Sequence, residues 1–143
     1  MPRQAGLSTD TRKHFDVAAG ILQDADGRVL ITERLGGGPF HGMWEFPGGK
    51  IGEDEAAGDA LVRELAEELG IEVSTSESMM TLYHEYPDRT VSIEFFVVSG
   101  WRNEPAGLEG QQLEWVTVAD LDAARLLPAD LPVLEALKAR QRL

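Results

Sequence analysis

The sequence predicts a single α/β domain. The chain has 143 residues, 43% of them hydrophobic, which suits one domain with one core. Short apolar stretches separated by glycine, proline and aspartate predict strands, and leucines at four-residue spacing between residues 61 and 69 predict an amphipathic helix. We expect the domain to occupy residues 15–143. The polar residues 1–14 are expected to form a flexible leader.

The composition excludes several classes of protein. The chain has 13 basic and 25 acidic residues, and its net charge of −12 disfavours an extended nucleic-acid partner. The absence of cysteine excludes disulfides, thiolate metal sites and a cysteine nucleophile. No apolar run approaches the roughly 18–20 residues of a membrane span, and residues 1–14 lack the apolar stretch of a signal peptide. We therefore expect a soluble, cytoplasmic protein that does not bind a membrane. We also expect a monomer whose partner is a small molecule.

The first third of the chain predicts strands joined by turns. Apolar residues at 15–22 and 28–34 flank an Asp-Ala-Asp-Gly turn, so we expect a hairpin-like pair of strands. Three consecutive glycines at 36–38 predict a flexible loop. Residues 44–46 predict a short extended segment that the following Pro-Gly-Gly ends.

Residues 54–70 form the clearest predicted helix. Asp54 is the expected N-cap, and Gly70 is the expected stop because glycine readily adopts the left-handed conformation that ends helices. The residues predicted to form its buried face are Leu61, Val62, Leu65 and Leu69.

The second half of the chain predicts strands followed by helices. The expected elements are strands at 79–86 and 90–98 joined by a Pro-Asp turn, a loop at 100–110, a strand at 113–118, and helical segments at 120–126 and 130–140.

A dense cluster of carboxylates surrounds the predicted helix. Residues 51–77 contain nine acidic residues and one base, Arg63. At 100° per residue, Glu64, Glu67 and Glu68 fall within an arc of about 100° beside the apolar face. Like charges at this spacing repel, but a divalent cation would make the arrangement favourable, and oxygen ligands suit Mg²⁺ or Mn²⁺. The alternative interpretation is a solvated acidic helix face.

The residues on either side of the cluster match a known motif. Pro47-Gly48-Gly49-Lys50 precedes the helix, and residues 49–71 fit G-x5-E-x7-R-E-U-x-E-E-x-G-U, where U is apolar. The nine defined positions are filled by Gly49, Glu55, Arg63, Glu64, Leu65, Glu67, Glu68, Gly70 and Ile71. From about residue 15 to 137, the chain resembles the Nudix hydrolase family, and within it the MutT branch, which removes 8-oxo-dGTP from the nucleotide pool.

This resemblance implies a fold and a reaction. The implied fold is the Nudix fold, an α/β/α sandwich with a mixed central sheet. The implied reaction is metal-dependent: water attacks the β-phosphorus of a nucleoside triphosphate, most specifically 8-oxo-dGTP, and releases the monophosphate and pyrophosphate. The alternatives are a pyrophosphohydrolase of CTP or modified pyrimidine nucleotides, a catalytically silent nucleotide-binding module, and a cation-binding protein.

The resemblance also implies a metal and catalytic set. The implied metal ligands are Glu64, Glu67, Glu68, the Gly48 carbonyl and Glu109 from a later acidic loop. One of these glutamates or a nearby one is the implied general base. Arg63 is expected to orient the carboxylates through a bidentate ion pair, and Glu55 to support it. For Glu109 the alternative is a solvated loop acid.

A second implied set binds the nucleotide. Its members are Arg34, Glu45, Phe46, Lys50, Tyr86, Arg89 and Asp130. Phe46 and Tyr86 are expected to stack on the base, although core packing is an equal alternative for Phe46. Lys50 is expected to hold the outer phosphate. Arg34 is expected to contact phosphate or base, with a strand-end surface arginine as the alternative.

Asp130 departs from the MutT pattern, which has asparagine at this position. An ionised aspartate only accepts hydrogen bonds, whereas a protonated one also donates. The CTP pyrophosphohydrolase branch has a similar Pro-Ala-Asp segment, while the Tyr-Pro-Asp-Arg segment at 86–89 resembles MutT and favours a purine. Alternatively, Asp130 caps the last helix, with Pro132 in its first turn.

Overall fold

A computed structural model describes residues 11–38 and 40–141 of the chain. Residues 1–10 of the expected leader lie outside the described residues. Its last residues, Lys13 and His14, already belong to the first strand. The Arg12 side chain donates hydrogen bonds to the Tyr86 carbonyl at 3.0 Å and to the Glu85 carboxylate at 2.7 Å. Residues 12–14 are therefore bound to the domain.

The described residues form seven strands, two α-helices and two 3₁₀ turns. In chain order these are β1 (Lys13–Leu22), β2 (Arg28–Glu33), β3 (Trp44–Glu45), β4 (Gly48–Lys50), α1 (Ala57–Leu69), β5 (Glu72–Glu85), β6 (Arg89–Arg102), β7 (Leu113–Thr117), 3₁₀ turns at Ala123–Arg125 and Pro128–Asp130, and α2 (Leu131–Gln141). Neither α-helix is both long and apolar enough to cross a bilayer.

The strands form two sheets. The larger has the order β4-β1-β6-β5, with β1 and β6 parallel and the other neighbours antiparallel, so it is mixed as predicted. The smaller has the order β3-β2-β7 and is antiparallel. The predicted pairing of the first two strands is wrong. Strand β1 pairs with β6 along its length and with β4 at residues 17–19. Its link to β2 is confined to the turn, where Gln23 and Val29 form an isolated bridge and the Asp24 N–H donates to the Arg28 carbonyl at 2.9 Å.

Helices α1 and α2 contribute to two different hydrophobic cores. Along β1, Ala18 and Leu22 belong to the core beneath α1, whereas Ala19 and Ile21 belong to the core that includes α2. This alternation follows from the two-residue period of a strand. The helical residues buried in the two cores are Ala60, Leu61, Leu65 and Leu69 from α1 and Val133, Leu134 and Leu137 from α2. The sheets lie between the helices, which confirms the predicted α/β/α sandwich.

Helix α1 begins later than predicted, so Asp54 is not its N-cap. The N-cap residue is Ala56, and Asp54 lies before it with a φ of 58°. The segment before the helix folds as a turn, in which the Glu55 N–H donates to the Gly52 carbonyl at 3.2 Å and the Glu55 carboxylate accepts from the Gly52 N–H at 2.8 Å. This turn delays the start of the helix.

The end of α1 agrees with the prediction, but one residue of its predicted buried face does not. Gly70 adopts a φ of 72°, and its N–H donates to the Ala66 carbonyl. Leu61, Leu65 and Leu69 are fully buried. Val62 is 38% exposed because it lies at the far edge of the predicted apolar arc.

Other strands and helices begin or end at residues different from those predicted, where polar residues interrupt the apolar pattern. Strand β5 begins at Glu72 and not at residue 79. Its first part is polar and exposed, and it stays paired with β6 through three register shifts between Val73 and Met80. Strand β4 occupies the glycines predicted to end the preceding segment. The predicted helix at 120–126 is a 3₁₀ turn, whereas the predicted helix at 130–140 is α2.

Candidate active site

Every residue of the predicted nucleotide-binding set lines a cavity of about 280 Å³. Lining it are Arg34, Glu45, Phe46, Lys50, Tyr86, Arg89 and Asp130, together with Gly48 and Glu68 of the predicted metal set. A neighbouring cavity of about 250 Å³ shares Arg34, Glu45, Gly48 and Glu68, and adds Glu109. Glu55, Arg63, Glu64 and Glu67 line neither cavity.

Two glycines let strand β4 approach its neighbours closely. A Cβ atom on Gly49 would lie 2.2 Å from Glu64 Oε2, and one on Gly48 would lie 2.1 Å from the Ala18 carbonyl oxygen. Any other residue would displace the Glu64 carboxylate or separate β4 from β1. The glycine pair therefore brings a strand, a helix and the cavity wall together.

Arg63 connects the carboxylates at the start of the motif. Its Nε and Nη2 donate to the two carboxylate oxygens of Glu55 at 2.9 and 2.8 Å, a bidentate pair, and its Nη1 donates to Glu64 Oε1 at 2.9 Å. Nη2 also donates to the Lys50 carbonyl at 3.0 Å. Hydrogen bonds from Arg63 and from the Gly52 N–H lower the pKa of Glu55 to about 2, and the same carboxylates raise the pKa of Arg63.

Glu67 lies apart from the cavity. Its side chain is 58% exposed, and its carboxylate lies 3.6 Å from Arg63 Nη1. Within residues 11–38 and 40–141, no three acidic or histidine side chains converge closely enough to hold a metal ion as they stand. Three of the predicted ligands, Glu64, Glu67 and Glu68, thus lie in the C-terminal half of α1, and ion binding requires the ligand side chains to move closer together.

Glu68 is the half-buried acid at the centre of this region. Burial, together with the negative charges of Glu64, Glu109 and Glu45, raises its pKa to about 8, against the lowering effect of a hydrogen bond from the Gly48 N–H. A cation would relieve this repulsion, and carboxylate and carbonyl oxygens are the donors that hard divalent ions prefer. The donor chemistry therefore fits a divalent cation.

Asp130 is buried at the inner wall of the larger cavity. It is 5% exposed, and its Oδ2 accepts a hydrogen bond from the Phe46 N–H at 3.1 Å. Burial, with a smaller effect of Glu45, raises the pKa of Asp130 to about 8 against the Phe46 N–H and Arg34. The carboxylate binds a distant strand end and not the first turn of α2, so the helix-cap role offered as the alternative is not observed.

Aromatic residues form part of the same wall. Phe46 is 3% exposed and meets Phe95 edge to face at 6.4 Å, so it packs in the core as the alternative interpretation held. The Tyr86 hydroxyl accepts from the Ala129 N–H at 3.2 Å, and the Arg89 guanidinium lies 5.5 Å from the Tyr86 ring centre. Burial raises the pKa of Tyr86, so the phenol stays neutral.

Cationic side chains lie around the cavity. Arg34 Nη1 lies 3.2 Å from Glu45 Oε1 inside it, so Arg34 is more than a strand-end surface residue. Lys50 is exposed and its ammonium lies 4.1 Å from the centre of the Phe15 ring. Together with Arg89, these residues place three positive charges around a cavity that also contains Glu45, Glu68 and Asp130.

Several lining residues were not predicted from the sequence. Phe15, Val17, Val91 and Ile93 come from the paired strands β1 and β6. The sequence did offer a signal for them. Phe15 and Val17 are two residues apart, as are Val91 and Ile93, and this spacing places both side chains of each pair on the same face of the sheet. Gln111 carries no sequence signal of its own, because its bond to the Glu68 carbonyl forms only in the folded chain.

Residues 18–136 match the family model described as a NUDIX domain. The chain belongs to the Nudix family. The Nudix motif at residues 49–71 is therefore the segment that forms β4, the turn at Glu55 and helix α1. Nudix hydrolases generally need a divalent metal ion.

Individual relatives support the same assignment over nearly the whole chain. An 8-oxo-dGTP diphosphatase of Haemophilus influenzae is 40% identical over 126 residues, covering 88% of this Nudix chain and 93% of the relative. A CTP pyrophosphohydrolase of Escherichia coli is 36% identical over 127 residues, covering 89% and 93%. A structure from a study of MutT from Aliivibrio salmonicida and Vibrio cholerae superposes with a TM-score of 0.75 at 36% identity, covering 90% of this chain and 99% of that one.

Proposed function

We propose that the chain is a metal-dependent nucleoside triphosphate pyrophosphohydrolase that converts 8-oxo-dGTP to 8-oxo-dGMP and pyrophosphate. The observation that carries this proposal is the cavity in which the whole predicted nucleotide-binding set meets Gly48 and Glu68 of the Nudix motif. The 40% identity with an 8-oxo-dGTP diphosphatase supports the choice of substrate.

The metal site of this proposal uses Mg²⁺, with Mn²⁺ as a substitute. A bound cation would neutralise phosphate charge and lower the pKa of the attacking water. The residues that would hold it are Glu64, Glu67, Glu68, Glu109 and the Gly48 carbonyl. Of these four glutamates, only Glu68 lines both cavities.

Arg63 and Glu55 serve as orienting residues in this proposal. Arg63 holds Glu55 by two hydrogen bonds and Glu64 by one, so the side chain of Glu64 is directed by a group that stays charged at all working pH values. Such fixed carboxylates need little reorganisation when phosphate charge moves during the reaction.

The nucleotide is proposed to bind with its phosphates towards Arg34, Lys50 and Arg89 and its base towards Asp130. Tyr86 forms the side of the base pocket, held in place by the Ala129 N–H and by the Arg89 guanidinium. A carboxyl group that is buried here keeps its proton more readily than usual, so Asp130 offers a donor as well as an acceptor to a purine edge.

A second candidate substrate is CTP or a modified pyrimidine nucleotide. The observation that favours it is the Pro-Ala-Asp segment ending at Asp130, together with 36% identity to a CTP pyrophosphohydrolase. The two candidates share the metal site and the reaction and differ in the base.

We also propose that the enzyme is a cytoplasmic monomer with one catalytic domain that begins at β1. Light scattering during gel filtration tests this state. A mass of about 15.7 kDa supports it, and a mass of twice that value contradicts it.

Hydrolysis in ¹⁸O-labelled water tests the proposed reaction. Attack at the β-phosphorus forms the new P–O bond there and breaks the bond to the α-phosphate oxygen, so the label enters pyrophosphate. Mass spectrometry should find ¹⁸O in pyrophosphate and none in 8-oxo-dGMP. Label in the monophosphate, or release of inorganic phosphate from the γ-position, would contradict the proposal.

A further inference from the structure

The loop of residues 103–111 closes the end of helix α1. The backbone N–H groups of Leu108 and Ala106 donate to the Glu68 and Leu69 carbonyls at 3.1 and 3.0 Å, and the Asn103 side chain donates to the Gly70 carbonyl at 3.3 Å. The last carbonyls of a helix have no partners within the helix itself. This loop supplies them, so its position depends on the helix that carries the motif.

Gln111 is the buried side chain at the base of this loop. It is 9% exposed, and both ends of its amide are bonded: Nε2 donates to the Glu68 carbonyl at 3.2 Å, and Oε1 accepts from the Glu109 N–H at 2.9 Å. A Cβ on Gly107 would lie 2.1 Å from the Gln111 carbonyl oxygen, so the loop folds tightly back on this residue. One buried amide thus bridges Glu109 and Glu68.

We propose that Gln111 is a positioning residue that holds Glu109 against the end of α1. Its amide fixes the distance between the two backbones, so that the Glu109 carboxylate faces the same cavity as Glu68. Gln111 touches neither nucleotide nor metal in this proposal and acts only through Glu109. The inference rests on the proposed function, in which Glu109 is a metal ligand. Residues that orient metal ligands typically change metal affinity 10–100-fold when they are removed.

The test is the affinity of the nucleotide-free protein for Mn²⁺, measured by electron paramagnetic resonance. The variants are Gln111→Ala, Glu109→Gln and the double variant, with Gln112→Ala as the control because Gln112 is the exposed neighbour of the same type. We expect Gln111→Ala and Glu109→Gln each to weaken Mn²⁺ binding about 10-fold. The double variant should be no weaker than Glu109→Gln alone, since both act on one ligand.

Thermal unfolding of each variant without metal shows whether a change in Mn²⁺ affinity comes with a loss of folding stability. If Gln111→Ala does not fold at the working temperature, Gln111→Met, which keeps the length and volume of the side chain, takes its place. Loss of thermal stability with unchanged Mn²⁺ affinity would overturn the inference and leave Gln111 as a structural residue. Additive losses in the double variant would also overturn it, because Gln111 would then act elsewhere.

The same data separate this inference from the proposed function. If the wild-type protein hydrolyses 8-oxo-dGTP with Mn²⁺ but Gln111→Ala binds Mn²⁺ normally, only the inference fails. If Glu109→Gln leaves Mn²⁺ affinity unchanged, Glu109 is no ligand and the inference fails with it. If the wild-type protein neither binds Mn²⁺ nor hydrolyses the nucleotide, the proposed function itself fails.

Discussion

The backbone N–H of Phe46 donates a hydrogen bond to the buried carboxylate of Asp130, 84 positions away in the sequence, at 3.1 Å. This contact joins the end of strand β3 to the turn before α2 and forms one wall of the nucleotide cavity. A buried donor left without its acceptor costs about 1–3 kcal/mol. Asp130 therefore has a structural role in addition to the proposed contact with the base.

Asp130→Asn should stabilise the protein above neutral pH. The pKa of Asp130 rises from about 4 in the unfolded chain to about 8 in the folded protein, so the folded state binds the proton more tightly. Between these values the wild-type free energy of unfolding falls as pH rises. Asparagine keeps an acceptor for the Phe46 N–H and carries no charge.

Urea unfolding of both proteins from pH 4 to pH 8 measures this effect. We expect near equality at pH 4 and an advantage of at least about 1 kcal/mol for the variant at pH 8, since a tenfold change in proton affinity corresponds to about 1.4 kcal/mol. A difference that does not change with pH would show that Asp130 titrates normally. Asp120→Asn, an exposed aspartate, is the control.

Asp130→Ala should change base preference as well as stability. Removal of a polar group that contacts a specific base edge changes discrimination strongly, whereas removal of an apolar wall does not. We expect the ratio of kcat/KM for 8-oxo-dGTP to that for CTP to fall by at least about tenfold, alongside a stability loss of about 1–3 kcal/mol. If the free energy of unfolding drops while the ratio of kcat/KM values is unchanged, the proposed contact with the base is wrong. The role of Asp130 is then limited to its bond with the Phe46 N–H.

Glu68→Gln should abolish most activity without unfolding the protein. Glu68 is half-buried among the carboxylates of Glu64, Glu109 and Glu45, so its removal relieves repulsion in the metal-free protein. We expect a melting temperature equal to or above the wild-type value without metal, and a smaller increase on addition of Mg²⁺. Turnover near the wild-type rate, with Glu53→Gln as the exposed control, would show that the carboxylate cluster has no catalytic role.

Arg63→Ala should impair catalysis more than stability. The side chain is 38% exposed, but its bonds orient Glu55 and Glu64. We expect kcat to fall at least about 100-fold with a stability loss below about 2 kcal/mol, because partly exposed ion pairs contribute little to folding. Arg63→Lys should recover little activity, since lysine cannot form the bidentate pair. Equal losses in Arg102→Ala, whose side chain is 76% exposed, would make the effect non-specific.

Local patterns in the sequence were sufficient for much of the fold. The spacing of Leu61, Leu65 and Leu69 located α1, and Gly70 located its end, because both are properties of a few neighbouring residues. Strand pairing depends on residues far apart in the chain. The adjacency of β1 and β2 in the sequence therefore suggested a hairpin, whereas in the folded chain the two strands belong to different sheets.

The same limit applies to the site. The motif identified which carboxylates matter and predicted a bidentate pair for Arg63, but it did not indicate that Glu67 points to solvent or that Glu55 is the partner in that pair. The bond from Phe46 to Asp130 and the bond from Gln111 to the Glu68 carbonyl join segments that only folding brings together. No spacing in the sequence indicates such contacts.

Steady-state kinetics with a nucleotide panel tests the central claim most directly. Pyrophosphate release is measured for 8-oxo-dGTP, dGTP and CTP, each with Mg²⁺ and with excess EDTA. We expect the highest kcat/KM for 8-oxo-dGTP and no activity with EDTA. A higher kcat/KM for CTP would transfer the proposal to the pyrimidine alternative, and pyrophosphate release that persists in EDTA would contradict the metal-dependent mechanism altogether.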